Sequence, residues 1–364
     1  MATTTLSLIH GGHDAAIGDK HEALERYRRA ADPAVADGLF RAARRLREQH
    51  LAPAPRLSAD LRIAAPCTLR RPCAFCPHPP RSAGEVGDVV AAAHALVALG
   101  YRRLRLSGGI RFPRPGEPSG GHDAQVIRLV LALRAAVDVD IEVDVGPSLT
   151  RDGVRTLKQL GVAAVGCALD VLNPAVFERC KPGDRLTERI RLLETCEREG
   201  MPFRSTIRLG LGETDEDRIG HLFFLRRFPM LRHLDLVRHA AYPEVAAPGC
   251  GPWPLARLTA VARLLLPTLD IGLASDAGID DVPLWWLAGG GSEAVGATVT
   301  MARRREEEDG ETRLLAVGER LVLRDRAPAL QRHFADLGLD AGIGDGQRAS
   351  PSSPAQARES TAEG

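Results

Sequence analysis

Between about residue 60 and residue 300 the chain repeats one pattern, a short apolar strand followed by a helical stretch. No other feature restricts the fold as much. The strand-like runs are LRIAA (61–65), RLRLS (103–107), IEVDV (141–145), AAVGCAL (163–169), FRSTIRL (203–209), LDLVRH (234–239), DIGLA (270–274) and AVGATV (294–299). Helical stretches such as EVGDVVAAAHALVALG and DEDRIGHLFFLRRF separate them, and several close with glycine, as a left-handed helix terminus requires. Eight strands alternating with helices predict an α/β fold, a (β/α)8 TIM-type barrel, with a doubly wound open sheet as the alternative.

The barrel is expected over residues 60–300, with flanks of a different kind. Residues 1–59 read as a tail and a helical extension. In the tail, His10 and His13 flank a Gly-Gly pair with no periodicity around them. The extension holds two helices, the second beginning at Pro33 after Asp32 as N-cap. Residues 301–340 read as a charged connector and a short α/β element. Residues 341–364 are poor in large apolar side chains and are expected to be disordered.

A formal net charge of +1 with dispersed arginines excludes the basic face of a nucleic-acid binder and leaves a small molecule as the expected partner. No apolar run is long enough for a membrane span, and the N-terminus lacks the layout of a signal peptide, so a cytoplasmic protein is expected. In that compartment the seven cysteines are metal ligands or buried thiols rather than a disulfide framework.

In such barrels the chemistry gathers where strands end, here near Ala65, Ser107, Val145, Leu169, Leu209, His239 and Ala274. The loop after the first strand reads CTLRRPCAFCPHPP and places Cys67, Cys73 and Cys76 in a C-x5-C-x2-C spacing. Three thiolates on one short loop suit a soft metal. His78 would complete a closed Cys3His zinc site. Alternatively, three cysteines hold a [4Fe-4S] cluster and leave one iron open for chemistry. The catalytic end of the barrel favours the open iron, and Phe75 supplies an apolar screen before the last cysteine.

These residues resemble the radical S-adenosylmethionine (SAM) superfamily, whose majority pattern is C-x3-C-x2-C with an aromatic before the third cysteine. The longer first gap is similar to that of HmdB-like proteins. Further matches run in order along residues 30–300. Ser107, Gly108 and Gly109 stand at the Gly-Gly-Glu turn whose backbone receives the SAM amino group; Ile110 replaces the acid. The block ALDVLNPAVFERCKPGDRLTERIRLL resembles the biotin synthase, HydE and PylB group. There the resemblance puts Asp170 near SAM and Arg189 on the SAM carboxylate. In RLGLGETDEDRIG it puts Gly210 and Gly212 against the adenine. Glu213 orients that loop or caps the next helix. Arg208 stands where the family more often has an apolar residue, and would meet a substrate anion or pair with a barrel acid.

The resemblance implies two cofactors, a [4Fe-4S] cluster and SAM, which yield a 5′-deoxyadenosyl radical that attacks a small-molecule substrate. It also implies reduced flavodoxin or ferredoxin as electron donor. Sulfur insertion of the biotin or lipoyl type needs a second cluster with cysteines on interior strands. Only Cys167 lies on such a strand; Cys180 and Cys196 belong to helical patterns and Cys250 to a loop. Sulfur insertion is therefore disfavoured. Tyr242, Asp276 and Ser148 are substrate-side candidates, and the Trp285-Trp286 pair is expected to pack against the barrel. The competing class is a non-redox barrel or binding protein with structural zinc.

Overall fold

The computed structural model describes residues 17–343 apart from 77–81, 113–120, 240–246, 275–276 and 303–311. Two helices come first, α1 (Lys20–Arg29) and α2 (Pro33–His50). Asp19 and Asp32 cap them through hydrogen bonds from the Glu22 and Ala34 amides. The alternating region then runs β1 (Arg56–Leu61), α3 (Val86–Ala98), β2 (Arg103–Ser107), α4 (Gly121–Ala136), β3 (Asp140–Asp144), α5 (Arg151–Gln159) and β4 (Ala164–Gly166). It continues with α6 (Pro174–Cys180), α7 (Leu186–Glu199), β5 (Phe203–Leu209), α8 (Asp215–Leu225), β6 (Leu231–Arg238), α9 (Pro252–Leu265), β7 (Asp270–Leu273), α10 (Val282–Leu287) and β8 (Glu293–Met301).

Neighbouring strands pair in parallel and in chain order, and β1 pairs in parallel with β8 from Arg56↔Glu293 to Leu61↔Val299. That pairing closes the sheet, so the fold is the (β/α)8 barrel and not the open sheet. Beyond it, β9 (Arg313–Val317) and β10 (Leu321–Asp325) form a hairpin that joins β8 antiparallel, and α11 (Ala327–Asp336) follows. The termini of the chain, including His10 and His13 and the segment after 343, lie outside the described residues. Among the described residues, no helix is long and apolar enough to cross a membrane.

Two strands differ from expectation. The first forms over RLSADL rather than LRIAA, because its polar residues point inward: Ser58 and Asp60 are buried beside Leu57, Ala59 and Leu61. LRIAA instead continues as extended chain, with Arg62 donating to Val299 and Ala64 to Ser107, and delivers the cysteine loop. The fourth strand is only three residues long. Past Ala168 the backbone turns into the left-handed region at Asp170, φ 62°, where a single bridge to Ile207 is all that continues the pairing.

The barrel centre is charged, where most such barrels stack branched apolar side chains. Arg204 is buried and meets Asp235 at 3.0 Å, Glu293 at 3.4 Å and Glu142. Arg105 lies 3.6 Å from Asp235, and Arg103 donates to Glu293 at 2.5 Å. His233 bonds Asp235 at 2.8 Å and lies 3.7 Å from Asp270. Charges removed from water need such partners. The layer fills the barrel below the strand ends, so the site must lie above it.

Candidate functional site

The cysteine loop is held from two sides. On one side Gly109 donates to Ala65 at 2.8 Å, Thr68 donates to Ile110 at 2.9 Å, and Gly108 donates to Asp144 at 3.0 Å. The approach leaves no room for side chains: a Cβ on Gly109 would fall 2.2 Å from the Cys67 nitrogen, and one on Gly108 2.5 Å from the Ala65 nitrogen. On the other side Ala74 donates to Cys180 at 2.8 Å, and Arg71 reaches the Pro182 carbonyl at 3.4 Å. The loop therefore bridges the end of β2 and the chain between α6 and α7.

Cys67, Cys73 and Cys76 are free thiols of intermediate exposure. Burial pushes the Cys73 thiol up to about 11, against the pull of Lys181 and Arg189. Among the described residues, the only trio of ligand atoms gathered within 4.8 Å belongs to His233, Asp270 and Glu293. Those three are already ion-paired in the barrel centre, Glu293 with Arg103 and Arg204. The cysteine sulfurs are thus spread wider than one tetrahedral zinc with ~2.3 Å bonds would hold them. A four-iron cluster, which binds each thiolate at a separate iron, needs its sulfurs farther apart than a single zinc does. His78, the fourth ligand of the zinc alternative, lies outside the described residues.

Beneath the loop lies a chain of buried charges. Lys181 Nζ is 2.6 Å from Asp170 and 3.3 Å from Asp184. Arg189 donates through Nε to Asp184 at 2.7 Å and through a terminal nitrogen to the Ala168 carbonyl. Arg208 approaches Asp170 at 3.4 Å, and its guanidinium lies 4.4 Å from the centre of the Phe75 ring. Burial alone would raise Asp170, but Lys181, Arg208 and Arg189 outweigh it and hold the carboxyl well below its usual range. Asp184 is held low in the same way by Arg189 and Lys181.

The β5 end completes the mouth. Gly210 and Gly212 adopt φ of 86° and 97°, and a Cβ on Gly210 would fall 2.7 Å from the Gly249 carbonyl carbon. Glu213 accepts the Gly210 and Leu211 amides at 2.9 and 2.8 Å and is paired with Arg218. It orients the loop; the cap of α8 is the Thr214–Asp217 capping box.

Of the residues singled out from the sequence, Phe75, Asp170, Arg189 and Arg208 converge with the cysteine loop. Gly210 and Gly212 stand beside them on the β5 loop. Ser107 turns its hydroxyl down to Asp60 inside the barrel, so only its backbone faces the loop. Ser148 accepts the Arg111 amide at 3.1 Å and ties two strand ends together. Trp285 and Trp286 pack against Phe334, with Trp285 Nε1 donating to Ile271 and Arg47 stacked on Trp286. Tyr242 and Asp276 lie outside the described residues. Cys167 and Cys196 are buried between β4 and α7, the former donating to the Arg189 carbonyl. Lys181 and Asp184 escaped the sequence reading. They flank Pro182-Gly183, which looks like a solvated turn, yet Lys181 is 2% exposed.

The sequence profile of the radical SAM superfamily matches residues 63–225, the segment that carries this loop and its supports. Residues 63–225 form a domain of the radical SAM superfamily. Two solved structures share its fold over most of the chain. The [FeFe]-hydrogenase maturase HydG of Carboxydothermus hydrogenoformans aligns with a TM-score of 0.73 at 18% identity, covering 92% of this chain and 78% of HydG. Methylornithine synthase PylB aligns with a TM-score of 0.68 at 16% identity, covering 92% and 96%. A biotin synthase of Cereibacter sphaeroides is 27% identical over 196 residues, 52% of this chain and 56% of that protein. An uncharacterized protein of Methanocaldococcus jannaschii is 26% identical over 166 residues, 45% of this chain and 44% of its own. The chain thus spans about half the length of these curated relatives. HydG and PylB share the fold of this barrel, and the biotin synthase likeness extends over about half of each chain.

Proposed function

We propose that the protein reductively cleaves SAM at a [4Fe-4S] cluster on Cys67, Cys73 and Cys76, and acts on a small-molecule substrate in cofactor or natural-product biosynthesis. The observation that carries this reading is the cysteine loop clamped directly above the Asp170–Lys181–Asp184–Arg189 charges, at the carboxyl end of the barrel. When bound, the cluster and SAM supply a 5′-deoxyadenosyl radical, which the protein itself cannot generate.

The chain's own groups bind and orient. Gly108 and Gly109 bring backbone to the loop without obstructing it. The Arg189 guanidinium, fixed by Asp184, offers a planar fork suited to the SAM carboxylate. Asp170 is held ionised by its three cations and acts as acceptor for a polar group of SAM. Gly210 and Gly212 leave an open backbone surface for the adenine. The charged layer around Arg204 occupies the barrel centre with arginines and acids instead of cysteines, which supports hydrogen abstraction without sulfur donation. Reduced flavodoxin or ferredoxin serves as electron donor in a cytoplasmic setting, with neither nucleic acid nor membrane as partner.

The test is anaerobic purification with iron and sulfide analysis, followed by incubation with SAM and dithionite. About four irons per chain and 5′-deoxyadenosine release are expected, both lost in Cys73→Ala. A colourless protein carrying one zinc and taking up no iron on reconstitution would instead establish a structural metal site.

A further inference from the structure

On β5, Arg204 and Arg208 are four residues apart and so project from the same face of the strand. Arg204 is consumed by the acids of the barrel centre. Arg208 stands at the mouth instead. Two backbone bonds bracket it there: Asp170 donates to Thr206 at 2.9 Å, and Arg208 donates to Asp170 at 2.8 Å. Its side chain is 10% exposed, contacts the Asp170 carboxylate at 3.4 Å and covers the Phe75 ring at 4.4 Å. Phe75 immediately precedes Cys76.

Among the described residues, the buried ion pairs beneath the loop join Lys181, Arg189 and Arg208 to Asp170 and Asp184. Lys181 spans both acids, and Arg189 is joined to Asp184. Arg208 is the third cation, and it is the one stacked on the segment that carries a cluster ligand. A guanidinium stays charged at any working pH, and a ring face beneath it retains it. A fixed charge in a poorly solvated site acts over several ångströms.

We infer that Arg208 is a positioning residue whose fixed cation raises the reduction potential of the cluster on the cysteine loop, with Asp170 as the opposing charge. This rests on the cluster assignment proposed above. Reduction adds one electron to the cluster; the electron comes from the donor protein, or from dithionite in vitro. A neighbouring cation stabilises the more negative, reduced state, and a neighbouring carboxylate opposes it. The pair therefore governs how readily the cluster accepts the electron, while holding the Phe75–Cys76 segment against β5.

The test is a potentiometric titration of the reconstituted full chain, followed by electron paramagnetic resonance, for wild type, Arg208→Met, Arg208→Lys and Asp170→Asn. Asparagine accepts left-handed backbone, so the last variant keeps the turn. At a fixed potential Arg208→Met is expected to lower the ratio of reduced to oxidised cluster about tenfold, which is ~59 mV for a one-electron couple. Arg208→Lys should stay within about threefold of wild type, and Asp170→Asn should shift the opposite way. An unmoved potential in Arg208→Met overturns the inference. So does an equal fall in Arg208→Lys, or a shift of Asp170→Asn in the same direction as Arg208→Met. If Arg208→Met fails to take up iron, the lysine and asparagine variants still decide it. A wild-type chain without any iron–sulfur signal would overturn the cluster assignment instead.

Discussion

Nζ of Lys181 lies 2.6 Å from Oδ2 of Asp170, and both side chains are almost completely shielded from water. The carboxylate is presented by a backbone with φ of 62°, which a residue other than glycine adopts at a cost of order 1–3 kcal/mol. The ion pair offsets that cost and fixes the turn below the cysteine loop. Lys181→Met removes one partner of a buried pair and is expected to lower the unfolding free energy of the metal-free chain by about 3 kcal/mol. Adding Asp170→Asn should recover roughly half of the loss, since the carboxylate that loses its nearest cation is then neutral. Urea titration monitored by circular dichroism measures both.

His233 gives the barrel centre a pH dependence of definite sign. Burial and Arg204 push its pKa down, but Asp235 and Asp270 outweigh them and lift it to about 9. A raised folded pKa means stabilisation that is complete below the unfolded value of about 6.5 and lost as the pH climbs through 9. The unfolding free energy should therefore fall by up to about 3 kcal/mol between pH 6.5 and pH 9. His233→Gln should flatten that slope, and a variant retaining the full alkaline loss would exclude His233 as its source.

Gly109→Ala tests the loop clamp. The added methyl would sit 2.2 Å from the Cys67 nitrogen, so the loop must move while the barrel need not. Iron uptake on anaerobic reconstitution is expected to drop below about half of wild type, with the far-ultraviolet circular dichroism of the chain unchanged.

Glu213→Gln tests the β5 loop. Its carboxylate serves two backbone amides and Arg218 at once, and the amide side chain keeps only part of that set. A SAM affinity at least about tenfold weaker by calorimetry is expected on the reconstituted protein, equivalent to ~1.4 kcal/mol. An unchanged affinity would detach this loop from SAM binding.

The barrel was legible in the sequence because helices and strands alternate without interruption and several helices carry a capping residue or a closing glycine. β1 was displaced in that reading because its inward residues, Ser58 and Asp60, are polar. An apolar-run criterion passes over a strand that faces a charged interior. The cysteine loop, Phe75, Asp170, Arg189 and Arg208 stood out by motif order. Lys181 and Asp184 did not, since their burial is created by the cysteine loop folding over a Pro-Gly turn more than a hundred residues later in the chain. Nor do strand patterns disclose that Arg204 collects acids from β3, β6 and β8, because each of these strands contributes only one of its partners.

The closure of β1 on β8 joins Arg56 to Glu293, and the first two helices are held by α9, another late segment. Trp253 donates to the Ala30 carbonyl and stacks on Phe40, and Arg257 donates to Tyr27. During synthesis at about 5–20 residues per second, the nascent β1 edge and the inner faces of α1 and α2 wait some tens of seconds for their partners to emerge. Contacts of such sequence separation also form slowly once available. The barrel therefore cannot close before the eighth strand arrives, and until then the β1 edge and the inner faces of α1 and α2 stay exposed to aggregation.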